Sequence, residues 1–224
     1  MTDAAPQPTL PIGESRWPPV IAVLGFMVVN ITVRVAVPSD AVIHVPWLAP
    51  AIEAALVIVL VTSNPSSAAE RMRLYRTALV LVCLLVCAAL WATALLLRDL
   101  IEGTGNTNDP GELLASGAMV WLGNNLSFAL LYWLTDSGGP IARFRRPLPI
   151  DFAFPQQLES EIGPPGWRPV FLDYLHLGFT NATAFSPTDV MPLTHRAKLA
   201  MIVQATIALA LLGLVVARAV NAFQ

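Results

Sequence analysis

The chain has 224 residues, 55% of them apolar and only 12% charged, with a formal net charge of −2. Ordinary soluble domains carry about a quarter charged residues, so there is too little charge here to cover a soluble globule of this size. No basic patch with interleaved aromatics is present, and nucleic acid is not an expected partner.

The tail, residues 1–17, has no basic leader ahead of an apolar run and does not read as a signal peptide. A first apolar helix, a retained anchor, is expected from Pro18 to Val37, with Arg34 late in it and Pro38-Ser39-Asp40 ending it. A second is expected from Pro46 to Ser63, with proline in the first turn and Glu53 in its first third. A third runs from Ala68 to Leu100, before the turn-rich residues 102–111. Cys83 and Cys87 lie four apart on one face of it and read as small packing residues, not as a disulfide or zinc pair. A fourth, Glu112 to Thr135, holds Asn124 and Asn125 and stops at Asp136-Ser137-Gly138-Gly139-Pro140. The proline-rich connector 137–169 is expected as an ordered surface loop packed on the helix ends. Residues 170–186 form a short half-polar helix, and His195 to Asn221 a last, long apolar one, charge-free from Leu199 to Val216.

Several of these runs approach the roughly 20 residues that cross about 30 Å of hydrocarbon. The alternating pattern of a membrane barrel is absent. The fold class is therefore all-α, a polytopic helical membrane protein with about five spanning helices plus a short re-entrant or sixth helix. Its parts are a tail (1–17), a four-helix transmembrane region (18–136), the connector (137–169) and a helix–turn–helix (170–224). Arg16, Arg71, Arg73, Arg76, Arg143, Arg145, Arg146 and Arg168 fall on one side if the N-terminus is cytoplasmic, which sets the expected orientation.

The run FLDYLHLGFTNATAFSPTD, Phe171 to Asp189, resembles the pore module of two-transmembrane potassium channels, FxDALYFSVVTLTTVGYGD, without a gap. The resemblance implies a pore helix, a filter loop and an inner helix. It would place Thr180, Asn181 and Thr183 at the pore-helix end, Ala184, Phe185, Ser186 and Thr188 in the loop, and Asp189 after it. A half-crossing helix makes a pore only around a symmetry axis, so a homo-oligomer is implied, a tetramer if the module is pore-like. Ser186 and Thr188 stand where two glycines aim filter carbonyls inward, and Pro187 fixes its own φ between them. Potassium selectivity is not expected. Ser-Pro-Thr-Asp also reads as a plain turn and helix cap. In potassium channels the loop enters from outside, which conflicts with the arginine count. Either the module enters from the cytoplasm, or residues 170–186 cross as a fifth of six helices.

Most of the chain also resembles a family of uncharacterised bacterial inner-membrane proteins marked by WYWELDxGGP, PDFLFPQ, FLDYLYVSxTNATAFSPTD and PLTxxAK. Here these stand at Tyr132–Pro140, Ile150–Gln156 and Phe171–Lys198, with Leu134-Thr135 replacing the acid-containing pair. The resemblance implies a multi-pass protein of the bacterial inner membrane and supplies no activity.

Asp173 and His176, three apart on one helical face, read either as a proton relay or as a helix-start acid beside a loop-bonded histidine. Glu53 and Arg34 are a candidate pair, and Asn124 and Asn125 candidate interhelical bonds. No catalytic set, metal set or cofactor motif is visible, so no enzyme, metal or cofactor is expected. The functional expectation is an oligomeric, ion-channel-like membrane pore without potassium selectivity. The alternatives are a non-conducting structural or partner-binding membrane protein and a proton-coupled transporter using Asp173, His176 and Glu53. Membrane lipid is the other expected partner.

Overall fold

A computed structural model of the chain describes residues 14–36, 48–62, 67–102, 110–143, 151–159, 161, 163–164, 166–183 and 189–222. The long helices are α1 (Trp17–Ala36), α2 (Leu48–Thr62), α3 (Ala68–Glu102) and α4 (Pro110–Thr135). A 3₁₀ turn (Asp136–Gly138) and short α5 (Pro140–Arg143) follow, then β1 (Phe152–Ala153) and α6 (Pro155–Leu158). The chain closes with α7 (Phe171–Thr183), β2 (Met191–Pro192) and α8 (His195–Ala222). The all-α expectation holds, the only ladder among the described residues being the two-residue β1–β2 pair.

Among the described residues, three helices are long and apolar enough to cross a membrane, at Ala68–Glu102, Gly111–Gly138 and His195–Arg218. The apolar stretches Trp17–Thr32 and Leu48–Thr62 are shorter. Of the three long ones, Gly111–Gly138 has 67% of its apolar window buried, against 22% and 28% for the other two. α4 is thus the central post, and α3 and α8 turn most of their apolar surface outward. Ile21, Ile58, Trp91, Leu199 and Leu209 are among the large apolar side chains exposed on the outside. The threonine hydroxyls of Thr32, Thr62 and Thr206 donate to the carbonyl four residues back, which satisfies them without water.

One end of the bundle gathers several helix termini. Arg16 Nη1 reaches Leu60 O at 3.4 Å, placing the start of α1 beside the end of α2. The start of α3 is close by, with Tyr75 against Gly139 at the end of α4. This arginine-bearing end is called the near end below.

Here the turn after α4 explains its sequence. Ser137, Gly138 and Gly139 all take positive φ (55°, 83° and 95°), and a Cβ on Gly139 would stand 2.8 Å from the Tyr75 ring. Only glycine fits there.

Two expectations change. Cys83 and Cys87 are exposed on the outer face of α3, whose inner face carries the buried Ala78, Val82 and Leu85. The connector is less superficial than its polarity suggests. Asp151, Phe152 and Phe154 are buried, and both aromatics join the core with Tyr132, Trp133, Phe171 and Tyr174.

Candidate functional site

The short helix α7 is the unusual element. Its first residues sit at the near end, where Phe171 N donates to Glu14 Oε1. α8 starts at the same end, where Arg196 grips Asp151. Between them, β2 pairs antiparallel with β1, Met191 opposite Ala153, and Leu193 N donates to Asp151 O at 2.8 Å. The chain therefore goes inward along α7 and is back at the near end by residue 191. Thirteen helical residues reach about 20 Å.

Asp173 Oδ2 accepts from Val170 N at 2.7 Å, an acid in the first turn capping its own helix start. The near face of α7 is clamped through Tyr174, whose hydroxyl donates to Asp136 Oδ2. Asp136 is 1% exposed, and its Oδ1 accepts from Ser137 Oγ and from the backbone N–H groups of Asp151 and Phe152. Arg143 lies 3.8 Å from Asp136 Oδ2, donates to Trp133 O at 3.1 Å, and stacks 4.8 Å over the Tyr174 ring. Its Nη2 also holds Glu14 Oε2 at 2.9 Å.

Asp151, equally buried, takes Arg196 through two bonds of 2.7 and 2.6 Å, Thr194 Oγ1 at 2.7 Å and Ser137 N at 2.9 Å. Burial pushes its carboxyl up. The hydrogen bonds from Arg196, Thr194 and Ser137 outweigh that and hold it below the usual carboxylate range.

A second, deeper node fixes the lower half. Gln204 of α8 is fully buried. Its Nε2 donates to Gly178 O at 2.9 Å, and its Oε1 accepts from Tyr132 OH at 2.7 Å and Asn181 Nδ2 at 2.8 Å. Asn181 Nδ2 also reaches Met201 O at 3.0 Å. Gly178 admits α4 closely, since a Cβ there would lie 2.9 Å from Asn125 Oδ1.

The residues singled out from the sequence are placed as follows. Asn181 joins Gln204. Thr180 and Thr183 bond back to carbonyls of their own helix. Asp189 is exposed, and residues 184–188, with Ala184, Phe185, Ser186 and Thr188, lie outside the described ones. Asp173 caps α7, while His176 is exposed on its outer face. Glu53 is buried in α2, seven residues before Leu60 and so about 10 Å from the near end. Arg34 falls in α1 with its side chain outside the described ones. Asn124 Nδ2 donates to Thr93 Oγ1 at 2.7 Å, joining α4 to α3, and Asn125 faces α7.

Sequence reasoning passed over Glu14, Tyr132, Asp136, Arg143, Asp151, Tyr174, Arg196 and Gln204 as site residues. Asp136, Asp151 and Tyr174 stand inside the motifs already quoted, and Gln204 is a lone amide in an apolar run. Those were the available signals. No group of three or more His, Cys, Asp or Glu side chains among the described residues is arranged to hold a metal ion. Comparison of the chain with family models, curated proteins and solved structures finds no match.

The arrangement is thus a helical bundle with the make-up of an integral membrane protein, holding the short helix α7 by an ion-pair clamp at one end and an amide node inside.

Proposed function

We propose that the protein is a multi-pass membrane protein of the bacterial plasma membrane that assembles into a homo-oligomeric, channel-like pore without potassium selectivity. α1, α2, α3, α4 and α8 are the five spans in this reading, and α7 re-enters from the cytoplasmic end. The observation that carries it is the return of the chain to the near end between α7 and α8. A half-helix ending inside the apolar layer aims its carbonyl end, the negative end of its dipole, at the bilayer interior, where it favours a cation. The outer face of α7 carries Leu172, His176 and Phe179, all exposed. A histidine facing lipid is costly, so this face suits a neighbouring copy.

The arginines at the near end, among them Arg16, Arg71, Arg73, Arg76 and Arg196, support a cytoplasmic position for that end. The test is flux of sodium, potassium, protons and chloride from liposomes holding the purified protein, with the oligomeric state read by native mass spectrometry. A monomer, or an oligomer that passes no ion, overturns the pore.

A second reading has its own support. Asn181, Thr180 and Thr183 are all satisfied within one chain, as expected of a structural or partner-binding membrane protein that uses α7 for packing. An oligomer silent in every flux assay favours it.

A further inference from the structure

We propose that Arg143, Trp133 and the first turn of α7 form an anion-binding site at the near end, which the chain fills with the carboxylate of its own Glu14 and which a phosphate or carboxylate anion takes when that residue is withdrawn. Glu14 belongs to the segment before α1, far in sequence from everything it touches. Its Oε1 accepts from Phe171 N, and its Oε2 accepts from Trp133 Nε1 and Arg143 Nη2, both at 2.9 Å. Donors from three separate elements converge on one carboxylate, and the charged pair is 3% exposed on each side.

The walls of the site stand without Glu14. Arg143 is separately held by Trp133 O, Asp136 and the Tyr174 ring, and the Trp133 and Phe171 rings meet edge to face at 5.9 Å. Arg143 Nε is buried with no hydrogen-bond partner among the described residues, so the guanidinium is not saturated. Converging N–H groups with a guanidinium are the general chemistry of carboxylate and phosphate recognition.

The carboxylate is therefore a tethered ligand in a preformed receptor, favoured by effective concentration over a free anion. An anion arriving there comes either from the aqueous phase or from a phospholipid headgroup. The site stands whether or not the protein conducts, and its test reads folding, not flux.

The test compares full-length wild type, Glu14→Ala and Glu14→Ser in neutral detergent by thermal unfolding and Trp fluorescence. Formate and inorganic phosphate are titrated against chloride at matched ionic strength. Wild type should respond equally to the three salts. Glu14→Ala should unfold several degrees lower and recover saturably with formate or phosphate but not with chloride. Glu14→Ser, which also vacates the place of the carboxylate but keeps a small polar group, covers the case in which Glu14→Ala does not fold. Adding Arg143→Lys to either should abolish the recovery. Nanodiscs of phosphatidylcholine with and without phosphatidylglycerol separate the sources. Recovery by free phosphate supports an aqueous anion, and recovery only with phosphatidylglycerol supports a headgroup. A folded Glu14 variant that distinguishes none of these anions from chloride overturns the site.

Discussion

Gln204 shows how one side chain decides the placement of a helix. It interrupts an apolar run, is fully buried, and spends both amide ends on Gly178, Asn181 and Tyr132. Replacing it with leucine keeps most of the volume and leaves those partners without it. Each buried polar group so orphaned costs about 1–3 kcal/mol. Gln204→Leu should therefore lower the thermal midpoint of the detergent-solubilised protein clearly, and a midpoint equal to wild type would show that the node holds nothing. Asp151 gives a pH signature. Its folded value lies below its unfolded one, so its stabilisation is complete above the unfolded carboxylate range, near about 3.9. It is lost as pH falls from there through the folded value. Asp151→Asn removes the carboxylate that Arg196 holds. It should cost about 1.5–3 kcal/mol at neutral pH and flatten the acid side of a stability–pH curve. An acid limb as steep as that of wild type contradicts this assignment. What the sequence concealed at this scale is partnership. Asp136 and Asp151 stand beside glycine and proline and read as turn formers, and nothing local says that they reach Tyr174 and Arg196 on other elements.

At the scale of elements, the helices were largely legible because long uncharged runs leave few alternatives. The boundaries moved by one or two residues, as with a first helix expected at Pro18–Val37 and found at Trp17–Ala36. α7 is the element whose existence was legible but whose direction was not. Residues 170–186 have the same composition whether they cross or return. The facts that support a return are non-local: the β1–β2 pair, the Asp151–Arg196 bridge and the Gln204 node. Gly178 tests the packing of that element. A methyl group there would meet Asn125 Oδ1 at 2.9 Å and Asn125 O at 3.3 Å, and the second is backbone that cannot swing away. Gly178→Ala gains helix propensity of about 1 kcal/mol, yet overpacking costs about 1–3 kcal/mol. Destabilisation is expected from the balance. A variant more stable than wild type would mean that α7 does not sit this close to α4.

For the whole molecule the question is which side of the membrane each end occupies. α1 begins at the near end, α2 ends there, α3 begins there, α4 ends there and α8 begins there. If all five cross, an odd number of spans puts the two chain ends on opposite sides, and a returning α7 keeps residue 189 on the side of residue 15. If α7 crossed instead, residue 189 would face the opposite side from residue 15. Single cysteines separate the two arrangements. Cys83 and Cys87 are exposed on the outer face of α3 and can be replaced by serine at little cost to the core. Ser15→Cys, Asp189→Cys and Val220→Cys, all at exposed positions, are then treated in intact cells with a thiol reagent that does not cross membranes. Ser15→Cys and Asp189→Cys should both stay unlabelled until the membrane is opened, while Val220→Cys labels at once. Asp189→Cys labelling at once while Val220→Cys stays protected would mean that α7 spans. The clamp at Asp151 and the pairing of Met191 with Ala153 would then have to be absent from the membrane-embedded protein, and the re-entrant pore would fall with them.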